Sequence, residues 1–204
     1  MADRVTVPGK LPVGAIDTRA TGWWAMIFTV FTEASLFAYL LFSYYYLAVQ
    51  PHMPGTFPQG GTPSLTLSLP DTIVLLSSSV AVAWAQFGIE HGSRWRLVAG
   101  LGGGALLGIV FVIIQVLEWS SKPFDLASST YSSLYFTITG FHVAHVVVGI
   151  CILLCLTFWS GRGYFNRIRY AHIHIGALYW HFVDLVWIGI FFTFYITPRL
   201  GLAS

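Results

Sequence analysis

LVAGLGGGALLGIVFVIIQVLEW, residues 97–119, runs for 23 residues with a single charged side chain, Glu118. A helix needs about 20 predominantly apolar residues to cross a hydrocarbon core about 30 Å thick. This stretch meets that length, and the rest of the chain is of the same kind. Of 204 residues, 56% are hydrophobic and only 9% are charged, where soluble domains carry about 25% charged residues. Most of the chain therefore does not face water. The formal net charge of +2 leaves no basic footprint for nucleic acid.

Reading outward for apolar runs and helix breakers gives five spans, at about 22–49, 70–89, 97–119, 131–159 and 175–197. The fold expected is all-α, a polytopic bundle of five transmembrane helices over residues 22–197. The first and fourth spans exceed one crossing, which predicts tilt or protruding ends. Trp23, Trp24, Tyr44 to Tyr46, Trp95, Trp119, Trp159 and Tyr195 cluster near span ends, where an amphipathic ring suits the interface. Residues 1–21 are mixed and polar and lack the apolar segment and small-residue cleavage site of a signal peptide; they read as a cytoplasmic tail. Residues 198–204 read as a short external tail.

Basic residues orient the bundle. Arg4, Lys10, Arg19, Arg94, Arg96, Arg162, Arg167 and Arg169 fall on one side, with Lys122 and Arg199 on the other. Eight against two predicts a cytoplasmic N-terminus and an external C-terminus. The first–second loop, QPHMPGTFPQGGTPSLTLSLP, holds five of the nine prolines and is expected to lie extended over the outer surface. Cys151 and Cys155, four apart on one helix, diverge too far for an easy disulfide and read as small hydrophobes.

The polar residues inside the spans are the candidate functional groups. Gly100, Gly104 and Gly108 fall four apart on one face of the third span, the spacing that lets another backbone approach closely. Glu33 lies about 11 residues into the first span, near the midplane at about 1.5 Å per residue. Asp184 lies at comparable depth in the fifth. A carboxylate there must be neutral or paired, so Glu33 is expected protonated or bonded to a hydroxyl, a histidine or a lipid head group. It is either a neutral acid tying helices together or a proton or ligand site. His142 and His145 share a face of the fourth span with Tyr135, Ile138 and Gly149, and His181 and Asp184 are likewise three apart on the fifth. If those spans are antiparallel neighbours, the histidines and acids could converge as metal or haem ligands, or they could hydrogen-bond between helices. His172 and His174 read as interface histidines, and His52 and His91 have no ligand-spaced neighbours.

Several segments then carry a resemblance. TGFHVAHVVVG (139–149) resembles the TGFHGLHVIIG-like segment of haem-copper oxidase subunit III. YWHFVDLVW (179–187) and FTEASLFAYLLFSYYY (31–46) are similar to that family's last helix and to its helix with a membrane-embedded glutamate, which would be Glu33. IVFVIIQVLEW (109–119) resembles its Q-x-x-E-[YW] helix end at Gln115, Glu118 and Trp119. LLSSSVAVAWAQFGI (75–89) resembles its serine-rich helix with a tryptophan, here Trp84. The motifs fall in order from about Trp23 to Tyr195. Two departures stand out. Many family members have seven spans, and this chain matches the last five, so the lipid-holding cleft of the long form would be open or closed by another subunit. Val143 also stands where the family has glycine.

The resemblance implies a catalytically silent subunit of a respiratory terminal oxidase that reduces dioxygen to water and translocates protons. It would sit in a bacterial cytoplasmic membrane against subunit I, with subunit II and small subunits in the same complex. The resemblance further implies no metal and no cofactor in this chain, haems and copper in partner subunits, and bound phospholipid. Glu33, Glu118, His142, His145, His181 and Asp184 would be internal hydrogen-bonding residues rather than ligands. The rival readings are a similar accessory protein of a nitric oxide reductase, a bis-histidine haem protein using His142 and His181, and a transporter, against which the lack of an internal repeat counts.

Overall fold

The computed structural model describes residues 21–50, 57–58, 63–165 and 170–200. Arg4, Lys10, Arg19, Arg167, Arg169, His52, most of the first–second loop and the tail beyond Leu200 lie outside the described residues. The described chain is all-helical: α1 Thr21–Ala48, α2 Leu65–Glu90, α3 Arg94–Ser120, α4 Thr130–Gly161 and α5 Ala171–Phe191. A π-helical turn, Phe192–Ile196, and a 3-10 turn, Thr197–Leu200, complete the last span. Among the described residues, five helices are long and apolar enough to cross a membrane. Helix is the solution lipid demands, because each backbone group finds its partner within its own segment.

Local chemistry sets the ends. Ser129 and Ser132 form a reciprocal cap at the start of α4, each hydroxyl accepting from the other's backbone N–H at 3.1 and 2.8 Å. Between α2 and α3 only three residues intervene. Gly92 takes a φ of 75°, and Ser93 N–H donates back to Gly88 at 2.8 Å, so the chain reverses at once and the two helices run antiparallel. The Arg94 side chain donates to the carbonyl of Ser160 at 3.0 Å and to that of Gly161. That pins the start of α3 to the end of α4. α2 begins at Leu65, ahead of the start read at Pro70, which lies inside the helix. A proline that near a helix start removes one backbone hydrogen bond, and neighbouring groups in a bundle tolerate the loss.

α2, α3, α4 and α5 pack as a ring of neighbours, and α1 lies against α4 and α5. Glycines let the helices close. A Cβ on Gly100 would lie 2.6 Å from the Ala81 carbonyl oxygen, and one on Gly104 would lie 2.6 Å from Val82. Gly108 serves a different neighbour: its Cβ would meet the Trp180 ring at 2.6 Å, and Gly149 meets another edge of that ring at 2.7 Å. Trp180 is fully buried, and its indole N–H donates to Ser78 at 3.0 Å. One side chain of α5 therefore joins α2, α3 and α4. Seven residues later Trp187 repeats the pattern, donating to Thr72 at 3.0 Å and packing edge-on against Phe111.

Candidate functional site

Polar side chains gather in three places. The first joins α1 to α4. Glu33 and His145 both lie near the middles of their helices, with Oε2 and Nε2 3.0 Å apart. His145 Nδ1 lies 2.7 Å from the Phe141 carbonyl. A carbonyl only accepts, so Nδ1 carries a hydrogen. One proton is then shared along the Nε2–Oε2 contact, and the pair is neutral in sum whichever side holds it. Phe37 packs on the rings of both His142 and His145. The Glu33 side chain keeps 31% of its surface exposed, because α1 touches the ring on one side only. The histidine partner is among those expected; the partial exposure is not.

The second place lies where α3 ends. Glu118 is buried, and its Oε1 accepts from Lys122 at 2.9 Å and from the hydroxyls of Tyr195 and Tyr135. Lys122 also lies over both tyrosine rings, 5.1 and 5.7 Å from their centroids. Gln115 and Asp71 are fully buried close by, Asp71 near enough to feel the charge of Glu118. From the sequence, Lys122 read only as an external charge and Tyr195 as an interface aromatic, while Asp71 and the partnership itself went unread. The signal present was the spacing of Gln115, Glu118 and Lys122, three and four apart along one helical face.

The third place is the α2–α5 groove. His181 Nδ1 lies 2.6 Å from the Ser79 hydroxyl and its Nε2 3.4 Å from Gln86 Oε1. Gln86 Nε2 lies 3.2 Å from His174 Nδ1, and His174 Nε2 faces Glu90 Oε1 at 3.5 Å. Asp184 is buried beside Ser79 but outside hydrogen-bond geometry with it. His181 thus engages α2, where a tie between the last two spans was expected. The physical reason is rotational: α4 claims the face of α5 that carries Tyr179 and Trp180, one position round the helix. His174 joins this row rather than standing alone at the interface.

His142 departs further from the expectation of a hydrogen-bonding role. Its ring is fully buried, stacked on Trp187 with centroids 5.0 Å apart and edge-on to Phe111. Neither ring nitrogen has a hydrogen-bond partner among the described residues. His142 and His145 face α5 and α1 respectively, while His181 faces α2, so the three do not converge. Among the described residues no three His, Cys, Asp or Glu side chains group as metal ligands would. Cys151 and Cys155 are both exposed free thiols.

The chain compares with known proteins over most of its length. The family described as cytochrome c oxidase subunit III matches residues 17–198. Cytochrome c oxidase subunit 3 of Drosophila melanogaster is 32% identical over 177 residues, covering 84% of this chain and 68% of that protein. The same subunit of Petromyzon marinus is 33% identical and that of Ovis aries 31%, each over the same shares of both chains.

Proposed function

Because the chain belongs to the cytochrome c oxidase subunit III family, and so is a non-catalytic, multi-pass membrane subunit of a haem-copper terminal oxidase, we propose that it stabilises subunit I, holds phospholipid and supports proton uptake. Subunit II and small subunits share the complex, and the haems and copper belong to the partner subunits. The observation that carries this reading is how the embedded polar groups are used. Glu33, Glu118, His145 and His181 each engage a side chain of another helix or of the next turn. Such bonds hold helices in register, typically contributing about 1 kcal/mol each in a membrane bundle.

The outward side of α1 supports the lipid and partner roles. Trp24, Phe28, Phe31, Tyr39, Phe42 and Tyr46 are all exposed there, apolar surface that only lipid or another subunit covers. The reading places the chain in a bacterial cytoplasmic membrane with its N-terminus inside. Arg94, Arg96 and Arg162 at one end, against Lys122 and Arg199 at the other, support that orientation. A tail at 1–21, a membrane domain over 22–197 and an external tail from 198 complete the reading.

Stripping this chain from the purified complex tests it. Haem and copper content and the initial oxidase rate are expected to persist, while proton uptake during sustained turnover slows. Loss of haem or copper in proportion to the chain removed would overturn the reading.

A further inference from the structure

The groove between α2 and α5 holds four side chains in one hydrogen-bonded row, Ser79, His181, Gln86 and His174, with Glu90 3.5 Å beyond His174 Nε2 and outside hydrogen-bond geometry, and their donor and acceptor roles can be worked out in sequence. Gln86 fixes the polarity, because its amide offers a donor on one side and an acceptor on the other. Its Nε2–H points at His174 Nδ1, so that nitrogen accepts and the His174 hydrogen sits on Nε2, facing Glu90. Its Oε1 faces His181 Nε2, so that nitrogen carries the hydrogen and Nδ1 accepts from the Ser79 hydroxyl. Every hydrogen in the row therefore points toward Glu90. Ser79, which spends its hydrogen on His181, has none to offer the buried carboxyl of Asp184 beside it. Neither oxygen of that carboxyl has a hydrogen-bond partner among the described residues.

One protonation reverses the row. A proton on His174 Nδ1 removes the acceptor that Gln86 uses. The imidazolium is held by Glu90, half-exposed at the end of α2 and the only ion-pair partner within 4 Å of His174 among the described residues. Tyr170 packs edge-on against the same ring. Gln86 then turns its amide over, accepting from His174 through Oε1 and donating through Nε2 to His181. His181 must accept at Nε2, so its hydrogen moves to Nδ1, which donates to Ser79. The Ser79 hydroxyl is freed and turns toward Asp184. The net change is one proton gained at His174, one amide rotation, one tautomer exchange and one hydroxyl rotation.

We propose that His174, Gln86, His181 and Ser79 form a reversible hydrogen-bond row, with Glu90 as the counter-charge at its outer end, that reports protonation at the membrane-surface end of α2 to Asp184 in mid-membrane. The span is large for so few groups. From Glu90 to Ser79 the row covers 11 residues of α2, about 16 Å at about 1.5 Å per residue. Seven-residue spacings, Ser79 to Gln86 and His174 to His181, keep the row on one face of each helix.

The test is nitrogen NMR of the histidine rings in the full chain, 15N-histidine labelled and reconstituted in phospholipid bilayers, across the pH range in which His174 titrates. His181 is expected to exchange its Nδ1 and Nε2 signals between pyrrole-type and pyridine-type over the same pH interval. In Gln86→Leu, His174 still titrates and the His181 exchange is lost. Gln86→Met gives the same uncoupling with an unbranched chain, should the leucine variant fail to fold. A His181 tautomer that stays constant while His174 titrates overturns the proposal in the unmodified chain. So does coupling that persists in either Gln86 variant.

Discussion

Replacing Gly100 with alanine probes the closest approach in the bundle. A Cβ there would stand 2.6 Å from the Ala81 carbonyl oxygen, 2.7 Å from the Ala85 Cβ and 2.9 Å from the Ala85 nitrogen. Carbon contacts settle at about 3.5–4.0 Å, so each of these is about 1 Å too short. None of the three atoms belongs to a side chain that can swing away; α2 and α3 must separate along their shared face. Overpacking of this kind typically costs about 1–3 kcal/mol, and the rigid neighbours put Gly100→Ala at the upper end, near 3 kcal/mol. Alanine also improves helix propensity, by up to about 1 kcal/mol. Gly103→Ala measures that gain alone, since a Cβ on Gly103 meets nothing within 4 Å. The difference between the two variants isolates the clash. The assay is SDS-induced unfolding of the full chain in mixed micelles, followed by tryptophan fluorescence. Gly100→Ala is expected to fall about 3 kcal/mol below Gly103→Ala, about a hundredfold in the folding equilibrium. Adding Ala85→Gly should recover part of the loss, because it removes one of the three contacts. Equal stability of the two alanine variants would refute the packing argument.

Three further outcomes follow from the polar sites. Glu33→Gln keeps a donor for His145 Nε2 and is expected to leave assembly and the initial oxidase rate almost unchanged, whereas Glu33→Leu should weaken α1 docking by about 1 kcal/mol, read as loss of a crosslink between α1 and α4. Lys122→Met strands the buried Glu118 carboxylate and is expected to destabilise the chain by about 3–5 kcal/mol in the same unfolding assay, with much of the loss recovered by adding Glu118→Gln. His142→Phe should be nearly neutral to stability and oxidase rate, because the ring stacks on Trp187 and neither nitrogen has a partner among the described residues; a large loss of rate with normal assembly would show that the imidazole has a chemical duty.

Apolar run length and breakers sufficed for five helices, since a span's hydropathy depends on its own residues. The glycine stripe was legible for the same reason, as four-residue spacing defines a face without reference to a partner. The partner of each face was not. Gly100 and Gly104 meet α2 while Gly108, on the same stripe, meets Trp180 of α5. Only the tilt of α3 across two neighbours decides that. The same limit separates Glu33, whose depth foretold a partner, from Glu118, whose partner Tyr195 lies in the π turn at the end of the last span, 77 residues away in sequence. His181 and Asp184 were readable as a pair on one helix, but the helix they address depends on how α5 rolls between α2 and α4. Asp71 was hidden by its position: the second residue of a span read from Pro70 looks like a helix end at the membrane surface until the helix is seen to begin at Leu65.

On the proposed function, this chain serves a redox centre held by another subunit. Affinity purification of the chain from its native membrane in mild detergent, with mass spectrometry of the proteins retained and an absorption spectrum of the sample, tests it most directly. A larger polytopic haem-copper subunit is expected at equal stoichiometry, carrying all of the haem absorbance. A chain that comes out alone with a haem absorbance of its own would contradict it.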